Sequence, residues 1–238
     1  MKLKVTPIDP TFNFITDLHP IIPAREAPPK WWKTIKREGV NEDLRSAGNI
    51  KTCPAIKDII NYGYIMPSWS WMQFIEKDGE VYWSMGHPGV GIESHAQQQI
   101  EGAPVEPLPL GGVFKLVSPW QFETPPGWAV IFNDPFWHDE DRPIKFLSGL
   151  VRTDAFNGIN FPFEMNRPLE KNEVLQVTAG TPLIHMSVVP IDDTFELEVN
   201  EATQKSTDNY IRQQQSVQAT HTNHYNHTVK NFDKNRKS

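Results

Sequence analysis

A single cysteine, Cys53, stands in 238 residues, so no disulfide closes within the chain and its stability must come from packing. Long apolar runs are missing too. The opening MKLKVTPIDPTF carries basic residues but no apolar stretch of signal-peptide or membrane-span length, which predicts a soluble, intracellular protein. Positive charge is scarce: 23 Lys and Arg against 29 Asp and Glu give a net charge of −6, which argues against broad, charge-driven binding of nucleic acid by the whole molecule. No glycine follows Gly180. Nor do strands and helices alternate at the spacing that builds a parallel α/β sheet.

What is present is 38% hydrophobic residues and 21 prolines set mostly between short apolar runs, a pattern of strands separated by turns. Three regions are expected. Residues 1–48 form an arm rich in proline and tryptophan, 49–198 a β-rich body, and 199–238 a basic tail. From Val199 onward six Lys and Arg face three Asp and Glu, about +3, which leaves the remainder near −9. The tail is rich in Gln, Asn, Thr and His and keeps no sustained apolar period, so it is expected to be flexible, or ordered only against a partner.

Within the arm, Trp31 and Trp32 precede a short helix and read either as anchors or as a stacking surface. Pro54 at a first helical position, the apolar Ile56, Ile59 and Ile60, and Gly63 beyond the last turn predict one helix leading into a strand at Tyr64–Met66. Cys53, just ahead of it, reads as a structural thiol or a nucleophile. Asp78-Gly79 between Trp69 and Trp83 predicts a β-hairpin. Residues 86–112 hold too many glycines and prolines for regular structure and read as a long loop, a frequent place for function. Strands are expected in VFKLVSPWQFET and GWAVIFNDP around a Pro-Pro-Gly turn, then in IKFLSGLVRT, in GINFPFEMN, and on both sides of the turn in VLQVTAGTPLIHMSVVPI.

Three motifs follow one another in this body: Pro125-Pro126-Gly127-Trp128, then Gly149-Leu150-Val151-Arg152-Thr153-Asp154-Ala155-Phe156, then Gly180-Thr181-Pro182-Leu183-Ile184-His185. Their order resembles that of the trimeric dUTP pyrophosphatases and their dCTP deaminase relatives: a PPGY turn, a hairpin G-(L/V)-I-D-x-D-Y-x-G, and a strand pair opened by G-(D/T)-x-I-A-Q. The resemblance covers about Val117 to Ile191 and implies a mostly β, antiparallel β-clip fold, of barrel or sandwich form, that builds its pockets between subunits. Self-association as a homotrimer follows from it. In the family the first hairpin aspartate activates the attacking water; here that position is Arg152, which cannot accept a proton. The loss of a general base costs on the order of a hundredfold or more in rate. The family's Ser-rich phosphate segment is replaced by the acidic NDPFWHDED, and its glycine-rich C-terminal arm has no counterpart. The resemblance therefore implies a scaffold without its hydrolase activity.

A longer resemblance rests on Pro29 to Lys33, Cys53 to Asp58 with Gly63-Tyr64-Ile65, Ser118 to Trp128, Gly149 to Asp154 and Asn160 to Phe163. These motifs are similar to those of a family of uncharacterised tailed-phage, cyanophage-like proteins. The resemblance implies a phage origin, with action in the host cytoplasm or the virion, and supplies no activity.

The leading functional expectation is a phage protein that acts by binding or assembly, with the tail 199–238 contacting a phage or host protein. The alternative is a nucleotide- or anion-binding enzyme or sensor using an intersubunit pocket. Its candidate ligand-binding residues are Asn133, Arg152, Asp154 and Asn160. Asp154 has a second reading as a turn-stabilising residue, and Arg152 as one half of a salt bridge. An Fe(II)-dependent oxygenase is the minor alternative: His138 and Glu140 give an H-x-E pair and His185 follows. Against it, Arg142 lies close to the pair, and no basic residue with a serine partner follows His185 to hold a 2-oxoglutarate carboxylate. His87 and His95 read as loop residues, and His221, His224 and His227 as solvated. No metal or other cofactor is expected.

Overall fold

Alternation of apolar and polar residues decides most of this chain. The computed structural model describes residues 2–36, 38–40, 46–48, 50–87, 90–95, 99, 101–102, 113–138, 142–191, 196–220, 229, 232–234 and 236. It divides into two units, one made of Met1–Pro29 with Asn61–Asp193, the other of Lys30–Ile60 with Thr194–Ser238.

In chain order the N-terminal region contributes β1 (Lys4–Pro7), a four-residue helix α1 (Ile15–Leu18), β2 (Ile22–Pro23), α2 (Lys30–Thr34), β3 (Glu38–Val40), β4 (Ser46–Gly48) and α3 (Pro54–Asn61). The predicted helix is α3, begun by Pro54 and followed by Gly63 at φ +75°. Next come β5 (Tyr64–Pro67), the hairpin β6 (Met72–Lys77) and β7 (Glu80–Met85), and β8 (Ile92–Ser94). Asp78 at φ 55° and Gly79 at φ 85° close that hairpin, both left-handed as a two-residue type I′ turn requires. The body finishes with β9 (Phe114–Glu123), β10 (Trp128–Asn133), β11 (Ile144–Phe146), β12 (Gly149–Val151), β13 (Gly158–Met165), β14 (Val174–Val177) and β15 (Pro182–Pro190). After the body comes the helix α4 (Gln204–Thr220).

The fold of the first unit is mostly β, as expected, and its strand pairings are antiparallel. One sheet runs β1-β9-β13-β11 with β8 also on β9, a second runs β12-β10-β15-β5-β2, and a third runs β14-β6-β7. Among the described residues these sheets are open rather than closed into a barrel. Alternation along β13 buries Ile159, Phe161, Phe163 and Met165, and along β9 it buries Phe114, Leu116, Trp120 and Phe122. These residues meet a shared core of phenylalanines. Phe122 packs edge to face on Phe132 of the second sheet with centroids 5.2 Å apart, and Phe74 of the third sheet packs on Phe163 at 5.8 Å.

Three local differences separate this fold from the sequence reading. The run IKFLSGLVRT is two strands in two sheets, β11 paired with β13 and β12 with β10, because the chain crosses from one sheet to the other between Phe146 and Gly149. Residues 92–94, inside the expected loop, form β8 against β9, while much of the rest of that loop lies outside the described residues. The third difference is in the tail, expected to lack regular structure, which contains the 17-residue α4. Capping rather than apolar periodicity starts this helix: the Ser206 amide donates to Thr203 Oγ1 at 3.2 Å and the Thr203 amide to Ser206 Oγ at 2.9 Å, a reciprocal box. A Gln204 to Asp208 bond at 2.8 Å adds support one turn on.

In the second unit Trp31 and Trp32 are half-buried and stack edge to face at 5.5 Å, and Cys53 is half-buried with a free thiol. Among the described residues no helix is long and apolar enough to cross a membrane.

The phenylalanine core gives a direct test. Phe161, 3% exposed, contacts the rings of Phe122, Phe132 and Phe146. Phe161→Ala is expected to cost about 3–5 kcal/mol in denaturant unfolding. Phe156→Ala, at a residue 63% exposed, is expected to change stability by about 0.5 kcal/mol or less.

Candidate functional site

Two of the three motifs meet where β9 hands the chain from the first sheet to β10 in the second, while the Gly180–His185 motif lies at the far end of β10, with His185 opposite Asn133. Pro126 and Gly127 take the central positions of a turn closed by the Trp128 amide on the Pro125 carbonyl, at 3.2 Å. Gly127 has φ +80°, so the turn is of the type that wants proline second and glycine third. Its free amide is satisfied from another part of the chain: Gly127 N–H donates to Asp154 Oδ2 at 3.0 Å.

Asp154 sits in the tight turn after β12, where the amides of Ala155 and Phe156 both donate to the Arg152 carbonyl at 2.9 and 2.8 Å. Arg152 pairs with Asp154 in the two-pronged manner of guanidinium and carboxylate, Nε to Oδ1 and Nη2 to Oδ2, both 2.9 Å. The carboxylate is 6% exposed and the guanidinium side chain 54% exposed. The Arg152 guanidinium, with help from the Gly127 amide, holds the Asp154 carboxyl below the usual aspartate range. Next to it Thr124 and Thr153 share a hydroxyl–hydroxyl bond of 2.7 Å, the Thr124 amide donates to the Thr153 carbonyl, and Thr124 Oγ1 donates to the Trp128 carbonyl at 2.8 Å. Asn157 Nδ2 completes the junction by donating to the carbonyls of Phe122 and Thr153 at 2.7 and 3.2 Å. A carboxylate held this way is a weak base with both oxygens engaged. The arrangement can fix a turn; it is not set up to take a proton from water.

Of the four candidate ligand-binding residues, the structure joins Arg152 and Asp154. Asn133 ends β10, in register with His185, and is half-buried. Asn160 lies in the first sheet on β13, in register with Val117, and is exposed. Thr124, Thr153 and Asn157 are the participants that sequence reasoning missed. A threonine beside a turn carries no signal of its own partner, and only the pairing of distant segments reveals it.

The metal alternative fares differently. Glu140 lies outside the described residues, as do His221, His224 and His227, while His138 is half-buried with its amide on the Pro135 carbonyl. Among the described residues no group of three or more His, Cys, Asp and Glu side chains could hold a metal ion.

His185 is in the interior, 1% exposed, with Nε2 2.5 Å from the Tyr62 carbonyl and the Phe136 ring 4.7 Å from its own. Nε2 therefore carries the hydrogen, and the buried Nδ1 has no hydrogen-bond partner among the described residues. The neighbouring chain must be glycine: a Cβ on Gly63 would lie 2.2 Å from the Met186 carbonyl oxygen and 3.2 Å from the His185 ring. Burial pushes the His185 imidazole below the ordinary histidine range, the Tyr62 carbonyl opposing this only in part.

No family model matches this chain, and neither does any curated protein. Among solved structures it is similar to phage dUTPases. A variant of the dUTPase of Staphylococcus bacteriophage 80alpha shares 8% identity over 85% of this chain and 99% of that chain, with a TM-score of 0.36. The 80alpha dUTPase with dUPNHPP shares 10% over 85% of this chain and 90% of that one, with a TM-score of 0.34. A variant dUTPase from phage phi11 of S. aureus, described with a structural Mg(II) ion, shares 11% over 69% and 95%, with a TM-score of 0.32. Likeness at this level concerns shape and carries no substrate with it.

His185 supplies the test for this subsection. Its folded-state pKa lies below the unfolded value, so the unfolded chain binds more protons and stability falls as pH drops through about 6.5. The carboxylates act lower. Glu173, held at about 2 chiefly by Arg167, has stability to lose only below the ordinary glutamate range. The thermal midpoint of the wild type is thus expected to decline as pH falls below about 6.5, still above the ordinary glutamate range, and His185→Phe to flatten that decline. Parallel curves for the two proteins across that window would contradict the assignment.

Proposed function

We propose that the protein works by binding and assembly rather than by catalysis, as a self-associating phage protein on a dUTP pyrophosphatase-like scaffold. The observation that carries the reading is the Arg152–Asp154 pair. Where the resemblance puts a water-activating carboxylate stands a guanidinium, and the one hairpin carboxylate is tied to it and to the Gly127 amide. Beside that pair Leu150 is 56% exposed, on a strand at the edge of the second sheet, and Phe156 is 63% exposed. An apolar side chain on a strand edge that is unpaired among the described residues, with a second exposed one in the turn beyond it, favours contact with another chain. Three copies is the stoichiometry that the resemblance implies. The tryptophan-containing motifs support the phage origin, with action in the host cytoplasm or the virion.

The tail is the proposed arm for a phage or host partner. Its cationic side chains suit acidic surfaces, and α4 is exposed on every side over residues whose burial is described, apart from a half-buried Asp208.

Purified protein is expected to release no pyrophosphate from dUTP and no ammonia from dCTP. Turnover at roughly 1 per second or faster would contradict the reading. Arg152→Asp is not expected to restore activity, because it places a second carboxylate beside Asp154 and removes the cation that holds it. A chain ending at Asn200 is expected to keep its β-type circular dichroism and a thermal midpoint within a few degrees of the full protein, while losing partner binding. Collapse of the truncated chain would make the tail an integral part of the fold.

A further inference from the structure

The first strand is an open edge. β1 pairs with β9 alone, so its outer row of amides and carbonyls faces no other strand among the described residues. Alternation sets Lys2, Lys4 and Thr6 outward, while Leu3 and Val5 are half-buried against the core. Pro7 has no amide hydrogen, so the usable edge ends at Thr6. Leu3 and Val5 also line a cavity of about 280 Å³ with Pro20, Ile21, Tyr64 and Trp120. That volume is at or below the lower end of small-molecule pockets, roughly 300–1,000 Å³, and suits one or two aliphatic side chains.

A segment of matching length and opposite charge occurs in the same sequence. Residues 196–200 read Glu-Leu-Glu-Val-Asn, without regular structure, and Leu197 and Val199 are 90% and 84% exposed. Strict alternation with its apolar positions in water is the pattern of a half-buried strand that has no sheet. Its acidic positions repeat at the same period as Lys2 and Lys4.

We propose that residues 196–200 of a second copy of this chain add as a strand to the free edge of β1. Strand addition puts same-face residues of neighbouring strands side by side. Leu197 and Val199 then lie next to Leu3 and Val5 at the cavity, and Glu196 and Glu198 next to Lys2 and Lys4. Lys4 pairs with Glu123 at 2.9 Å, but both side chains are more than half exposed, and such pairs exchange partners at little cost. A second copy is the fitting occupant because the complementary strand is encoded in this chain. The proposal rests on the self-association in the reading above and adds to it a contact.

The test is charge exchange in the full-length protein. One variant carries Lys2→Glu and Lys4→Glu, the other Glu196→Lys and Glu198→Lys, and sedimentation velocity follows assembly over a micromolar concentration series. The wild type is expected to associate, each variant alone to sediment as a smaller species with unchanged circular dichroism, and an equimolar mixture to regain association. Leu197→Asp with Val199→Asp, in a segment already exposed, is expected to weaken association as well. Variants that assemble like the wild type overturn this contact and leave self-association standing. A mixture that stays apart overturns exchange between copies. A monomeric wild type overturns both the contact and the self-association it rests on.

Discussion

One carboxylate holds the junction between two sheets. Asp154 binds the amide of the Pro-Pro-Gly-Trp turn, which carries the chain from β9 to β10, and binds Arg152 at the end of β12. Thr124 and Thr153 tie the same two segments a few ångströms away, and Asn157 fastens them to the end of β9. A buried carboxylate must be compensated, and here the compensation comes from an amide and a guanidinium that both belong to the frame. The Phe122–Phe132 contact lies on the two strands that this junction connects. The direction in which β10 leaves the turn decides whether those rings meet.

The same chemistry shapes the functional reading. An aspartate poised as a base needs an oxygen free to approach water and a pKa near its working range. Asp154 has neither, since Arg152 and Gly127 occupy its oxygens and lower its pKa. Two of the motifs that resemble those of a hydrolase are thus joined through Asp154, and the contacts between them fix a turn. The charge is unevenly divided, with an acidic body and a basic tail.

Legibility followed the range of the interaction. The Asp78-Gly79 hairpin and the Pro54 helix depend on residues next to one another, and sequence alone located both. Strands with clean alternation, such as β9 and β13, were equally plain. The division of IKFLSGLVRT between two sheets was hidden because β-propensity is continuous across it and only the partners differ. β1 was passed over because four residues ending in proline carry little strand signal without the β9 edge that receives them. α4 was missed because its start is a hydroxyl capping box on a polar sequence, outside the reach of an apolar-period test. At the site, the turn-stabilising reading of Asp154 could be stated from residue type. Its partners, 2 and 27 positions away, could not.

The most direct measurement is the titration of the Asp154 carboxyl carbon by ¹³C NMR, assigned through Asp154→Asn. The account predicts a midpoint below the ordinary aspartate value, unchanged when dUTP is added, because Arg152 and the Gly127 amide hold the ionised form. A midpoint at or above the ordinary value, or one that moves on adding dUTP, would contradict it by showing a carboxylate that is free to act.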